Sequence, residues 1–256
     1  MSTTPSSSPL FIPEIDSPFF IRIFYWYVLT LYRRRFRAVW LDDREMPGNR
    51  RATLYIGNHN SWWDALNPLL LNERVIGKRA CAMMDEEQLL RYPFFRRLGV
   101  FSINRQHPRK ALASLEHAAR LLNESGLSER AVGLWFYPEG KLVRSEMPIT
   151  AENGITWLAR KLDPDRTEIV PFATHIHFMR GDRPELFVRL GASINPRMFE
   201  MTGEPARDQS QTRRIAGIIE QLRESVRRDS ADFGDPETEA GKNTVDGFRL
   251  LLGRPY

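Results

Sequence analysis

From Thr53 onward, short apolar runs alternate with stretches whose apolar residues recur at helical spacing, and this alternation restricts the fold more than any other feature. Strand-like runs occupy 53–57, 79–84, 99–104, 131–137, 168–174 and 186–190. Between them, 108–123 carries Leu112, Leu115, Ala119 and Leu122 on one helical face, and 150–162 carries Ile155, Leu158 and Leu162. A further amphipathic helix is predicted at 211–228 through Ile215, Ile218, Leu222 and Val226. Such a pattern predicts an α/β fold, a largely parallel or mixed sheet flanked by helices. Sheets of this class gather ligands where strands end and loops begin.

Ahead of that region, Phe19 to Tyr32 reads FFIRIFYWYVLTLY and is followed at once by Arg33-Arg34-Arg35-Phe36-Arg37. Interrupted by Arg22, the run falls short of the ~20 apolar residues that a helix needs to cross a bilayer. Its basic cluster follows the apolar run, the reverse of signal-peptide order. The combination predicts an N-terminal membrane-interfacial helix, with Trp and Tyr at the headgroup level and arginines on anionic lipid. An aromatic helix docked on the protein's own core is the other reading. With 37 basic and 32 acidic residues the chain carries a net charge of +5, which favours nucleic acid, phospholipid headgroups or phosphorylated substrates alike. The single cysteine, Cys81, excludes an intramolecular disulfide and reads as a small buried apolar residue.

The stretch TLYIGNHNSWWDALN, 53–67, joins a strand to a polar turn holding His59 and Asp64. Histidine accepts a proton near neutral pH, and a carboxylate that fixes its tautomer makes it a better base. Five residues apart on one helix, the two side chains would diverge by ~140°. They meet if His59 lies in the turn after the strand and Asp64 in the first helical turn beyond it, a helix that Pro68 keeps short or irregular. Ser61-Trp62-Trp63-Asp64 also fits a plain capping box, which needs no chemistry.

Three more loop signals follow. Ser102-Ile103-Asn104-Arg105 ends a strand with an arginine able to clamp an anion, Tyr137-Pro138-Glu139-Gly140 makes a tight turn after an apolar strand, and Ile169-Val170-Pro171-Phe172 holds a proline expected at an edge strand or bulge. Together they resemble the glycerolipid acyltransferase family, which contains the 1-acyl-glycerol-3-phosphate acyltransferases. The family's Asn-His-x-x-x-x-Asp motif is met by Asn58, His59 and Asp64, its second motif by Arg105, its Phe-Pro-Glu-Gly core by Pro138, Glu139 and Gly140, and its fourth by Pro171. The resemblance spans 53–172. It implies transfer of an acyl group from acyl-CoA or acyl carrier protein to a lipid hydroxyl, most simply of a lysophosphatidate-type glycerolipid. His59 would be the general base, Asp64 its orienting partner, and Asn58, Arg105, Glu139, Gly140 and Pro171 substrate-binding residues. The family commonly continues its Glu-Gly turn with Thr-Arg-Ser, where this chain has Lys141-Leu142-Val143, and carries a lysine where Asp85-Glu86-Glu87 stands. Those departures keep a lipid hydroxyl without phosphate, such as a carotenoid glycoside, open as acceptor.

The implied division is a flexible leader and interfacial helix at 1–44, an acyltransferase catalytic domain at 45–205, and a C-terminal helix and tail at 206–256, including an acidic linker at 231–247. No cofactor, metal or nucleic acid is expected beside the acyl donor and membrane lipid, and the expected location is peripheral, on the cytoplasmic face of a membrane. Two readings of other classes stand beside this one. His175 and His177 share a strand face and, with His59, Asp64 or Glu139, would compose the nitrogen and oxygen site of a metal-dependent hydrolase, although no His-Glu-x-x-His spacing accompanies them. The aromatic and basic front end alone would suit a non-catalytic membrane-binding protein.

Overall fold

The computed structural model describes residues 9–48, 51–125, 130–178, 181–199, 205–231 and 247–253, with the side chains of 205–208 left aside. Most of the acidic linker expected at 231–247, and the first part of the leader, lie outside these residues. The strands are β1 (Ala38–Asp42), β2 (Ala52–Gly57), β3 (Arg79–Asp85), β4 (Val100–Ile103), β5 (Val132–Phe136), β6 (Thr167–His177), β7 (Glu185–Leu190) and β8 (Arg249–Gly253). They form one eight-stranded sheet in the order β4-β3-β5-β2-β6-β7-β1-β8. Neighbours from β4 to β6 run parallel, β6 and β7 are antiparallel, β7 and β1 parallel, and β1 and β8 antiparallel. The mixed α/β sheet expected from the alternation is therefore present.

Helices cover both faces, which is why the central strands are apolar throughout instead of alternating. Leu54 and Ile56 of β2 point into a core shared with α4 (Pro108–Glu124), α5 (Gly154–Lys161) and α6 (Pro205–Ala231). Tyr55, between them, points the other way into a core with α1 (Pro18–Arg35) and α2 (Asn67–Leu71). A short α3 (Glu86–Arg91) follows β3. The predicted strands all form with shifted ends, and β6 runs on to His177.

Two strands were not expected. Ala38–Asp42 directly follows the basic cluster, and Arg249–Gly253 lies in a short closing run, so neither has a local signature. Their pairing is non-local, β1 on β7 with Ala38 opposite Glu185, and β8 on β1. The sheet thus takes strands from both sides of 45–205. Residues ahead of α1 are also anchored: Ile12 N–H donates to Ser102 Oγ at 2.7 Å, and Glu14 meets His117 Nε2 at 2.8 Å. Backbone and side-chain bonds of this kind hold 9–17 against β4 and α4 where a loose leader was expected.

Helix α1 docks one face on the protein's own core and leaves aromatic residues exposed on another. Val28, Leu29 and Tyr32 are buried, whereas Phe19, Ile23, Trp26 and Tyr27 are exposed, and Arg33, Arg34 and Arg35 occupy its last turn. No helix among the described residues is long and apolar enough to cross a membrane.

Candidate active site

The candidate residues collect where β2, β5 and β6 end. After Gly57 the chain turns through Asn58, His59 and Asn60, and Ser61 opens a single turn of 3-10 helix at Trp62–Ala65 before α2. Pro68 stands in the first turn of α2, where a missing N–H costs nothing. A Cβ on Gly57 would fall 2.4 Å from the Phe172 ring, so glycine lets β6 pack its aromatic directly under the turn. Asn58 ties the turn to β6 reciprocally: its Oδ1 accepts Thr174 N–H at 2.9 Å, and its Nδ2 donates to Thr174 O at 3.0 Å.

Asp64 is almost wholly buried, 1% exposed. Its Oδ2 accepts from Asn60 N–H at 2.9 Å and Ser61 N–H at 2.8 Å, and lies 3.1 Å from His59 Nδ1. Its Oδ1 accepts from Asn67 Nδ2 at 3.2 Å and Thr174 Oγ1 at 3.3 Å. Ser61 Oγ also accepts Trp63 N–H, so the capping box exists. Capping and holding the histidine are one arrangement here, because the same oxygen does both. With Nδ1–H donated to Asp64, Nε2 of His59 is left as the proton-accepting nitrogen. The imidazole is 22% exposed on its side chain and stacks on Tyr137, with ring centroids 4.5 Å apart.

Glu139 reaches the turn from β5. Its Oε2 accepts the backbone N–H of His59 at 2.7 Å, and the residue is 3% exposed. Burial pushes its carboxyl up from the ordinary range, against the opposing effects of that N–H and of the His59 and Arg223 charges. Gly140 adopts φ 64°, and a Cβ there would sit 2.5 Å from Arg105 Nη1. Glycine suits the left-handed turn, and its missing side chain lets the exposed Arg105 guanidinium pass close by. The sheet therefore brings Asn58, His59, Asp64 and Glu139 into one hydrogen-bonded group, with Arg105 against Gly140.

Pro171 lies apart from this group, and the edge or bulge expected for it is not what the sheet provides. Its strand is interior, paired with β2 through Ile56 and with β7 from Phe172 onward. It is tolerated because it falls where the β7 ladder ends: Ile169, of the same parity, pairs with Ile194, and the Pro171 carbonyl accepts Gly191 N–H at 2.7 Å. The missing N–H faces that same boundary.

Sequence reasoning passed over Asn67, Thr174, Tyr137 and Tyr32. Tyr32 O–H donates to Asn67 Oδ1 at 2.5 Å, and Tyr137 O–H donates to the Asp64 carbonyl at 2.6 Å. Burial, followed by the Asp64 charge, pushes both phenols well up, so they stay neutral donors. The aromatic place of the Glu-Gly motif was the one available signal for Tyr137; the others are brought in by long-range packing. His175 and His177 do share a face, with rings 5.7 Å apart, but on the α6 side of β6. Among the described residues, no group of three or more His, Cys, Asp or Glu side chains is arranged to hold a metal ion. Cys81 is buried, which pushes its thiol up to about 12.

The family model described as Acyltransferase matches residues 38–175, from the start of β1 into β6. Among solved structures, the 1-acyl-sn-glycerophosphate (LPA) acyltransferase from Thermotoga maritima is similar in fold, with a TM-score of 0.53 and 13% identity over 81% of this chain and 79% of that one. No curated protein sequence matches the chain.

The Asp64 network generates a stability prediction. An amide at this position would put Nδ2 against either the Asn60 and Ser61 N–H donors or Asn67 Nδ2, so donors face donors in both orientations. Asp64→Asn is expected to lower unfolding stability by about 1–3 kcal/mol in urea denaturation. A wild-type transition would show that the carboxylate does not organise the turn.

Proposed function

This chain belongs to the acyltransferase family, and from that premise we propose that it moves a fatty acyl group from acyl-CoA or acyl carrier protein to a hydroxyl of a membrane lipid, best matched by a lysophosphatidate-type glycerolipid. The observation that carries this reading is the single buried oxygen of Asp64 that holds both the His59 ring and the backbone of its turn. His59 Nε2 takes the proton of the acceptor hydroxyl as its oxygen attacks the thioester carbonyl. A C–O bond forms, the carbonyl becomes an oxyanion, and its collapse breaks the C–S bond, with the proton passing from His59 to the leaving sulfur. No enzyme nucleophile is needed. Glu139 holds the His59 backbone in place, and Arg105, exposed over Gly140, is available to an anionic group of the acceptor. An acceptor without phosphate is the second reading, favoured by Lys141-Leu142-Val143 after the Glu-Gly turn.

The same reading places the protein on a membrane surface. Phe19, Ile23, Trp26 and Tyr27 of α1 are exposed, and so is Trp62, beside the His59 turn. The adjacent Trp63 packs on Tyr32 and Phe36, which links the turn to α1. Three arginines close the helix, as an interfacial anchor on the anionic cytoplasmic leaflet requires.

Incubation with labelled acyl-thioester and a total lipid extract, read by mass spectrometry, is expected to yield a new lipid ester whose acceptor distinguishes the two readings. His59→Ala should cost at least about a hundredfold in rate while the circular dichroism spectrum shows the fold retained. Substantial turnover in that variant would remove His59 from the mechanism. For the membrane surface, deleting α1 is a poor test because Val28, Leu29 and Tyr32 are core residues. Replacing Phe19, Trp26 and Tyr27 together by Ser should instead weaken co-sedimentation with anionic vesicles by at least about tenfold. Undiminished binding would put the lipid-facing surface elsewhere.

A further inference from the structure

Arg223 lies on α6, against the sheet face opposite α1, and is 3% exposed. Its Nη2 donates to Glu220 Oε1 at 2.5 Å, and Glu224 stands 4.0 Å away. The Nε atom is buried with no hydrogen-bond partner among the described residues. A guanidinium offers five N–H donors in a fixed fork suited to oxyanions, and leaving one buried donor unmet is costly. The helix turn that carries it is fastened to the candidate site. Glu220 Oε2 accepts Ile149 N–H at 2.8 Å, in the loop that follows Glu139 and Gly140, and Glu152 N–H returns to the Pro138 carbonyl at 2.9 Å.

Both signs of charge surround this position: Glu220 and Glu224 flank Arg223, and Arg227 pairs with Glu224 at 3.0 Å. Arg223 acts on both Glu139 and His175, while Arg227, one turn further along α6, acts on His175 and Glu146. Burial first, then His177, Arg227 and Arg223, push His175 down to about 4, which leaves it neutral and able to donate a hydrogen bond. Glu139 is already committed to the His59 N–H. In the sheet order, β4 and its Arg105 lie on one side of β5, and β6 with α6 on the other. The Glu139-Gly140 turn is thus approached by an exposed arginine from one side and a buried one from the other.

We propose that Arg223, assisted by Arg227, is the site on α6 that receives the phosphoryl group of the lipid acceptor and sets the preference for a phosphate-bearing headgroup. The assignment rests on the acyl-transfer reading above. A phosphate monoester brings roughly −1.5 to −2 charges and three acceptor oxygens, enough to satisfy Nε. The arginine that the family carries two places after its Glu-Gly pair, where Leu142 stands here, is supplied from a distant helix.

Steady-state kinetics of the full chain test this, using lysophosphatidate and a monoacylglycerol of the same chain length as acceptors, with acyl-CoA as donor. Arg223→Gln is expected to raise the KM for lysophosphatidate at least about tenfold with kcat changed far less, and to lower selectivity for it over monoacylglycerol by a similar factor. Arg223→Lys should recover part of the loss, and the more exposed Arg227→Gln should shift selectivity the same way by a smaller factor. Equal loss on both acceptors, a rise confined to the KM for acyl-CoA, or no change in selectivity would overturn the assignment. Should Arg223→Gln fail to fold, Arg227→Gln decides by the same criterion. Should the wild type transfer to neither acceptor, the acyl-transfer reading itself falls, and titration with inorganic phosphate followed by thermal shift decides the anion site separately. Saturable stabilisation that Arg227→Gln weakens would uphold that site, and identical responses would remove it.

Discussion

A buried carboxylate with all its acceptor capacity in use is what the candidate site depends on. Asp64 receives the turn's own backbone at Asn60 and Ser61, the His59 ring, the Asn67 amide and the Thr174 hydroxyl. Each donor comes from a different constraint. Asn67 is itself held by Tyr32 of α1, Thr174 belongs to β6, and Tyr137, at the end of β5, caps the Asp64 carbonyl. Removing a charge of this kind from water is expensive unless hydrogen bonds replace the lost solvation. The fold supplies them, and the imidazole is oriented as one consequence of that satisfaction.

The same arrangement explains why the sheet matters to the chemistry. Parallel β2, β5 and β6 deliver His59, Glu139 and Thr174 to one edge. Gly57 allows Phe172 to lie beneath the turn, and Tyr137 stacks on His59 from the adjoining strand. Helix α1 reaches the site through Tyr32 while turning its aromatic stripe outward, so the surface proposed to meet lipid and the proposed base share one rigid connection. On the opposite face, α6 brings Arg223 toward Glu139.

What the sequence disclosed and what it hid divide along one physical line. Strand and helix periods, the strand-to-helix turn at His59 and the Glu-Gly turn are local patterns, and each was readable. Asp64 was readable twice, as cap and as partner, and the structure makes those a single role. Thr174, Asn67, Tyr32 and Arg223 enter through contacts between residues far apart in the chain, for which no local spacing exists. Strands β1 and β8 were missed for that reason too, since their stabilising partners are β7 and each other. Pro171 shows the converse error: a local rule about proline pointed to an edge, whereas the end of one ladder inside the sheet tolerates it equally well. Glu139 was readable as part of a tight turn, whereas the bond from the His59 backbone N–H to its carboxylate joins residues eighty positions apart and had no local signal.

The central claim is that His59, held by Asp64, works as a base in a direct transfer and never carries the acyl group itself. Intact-protein mass spectrometry during a single turnover, with labelled acyl-thioester and lipid acceptor quenched at successive times, tests this most directly. The account predicts that the label passes to the lipid ester while the protein mass stays unchanged at every time point. A transient increase in protein mass equal to one acyl group, formed and lost at the rate of product appearance, would contradict it.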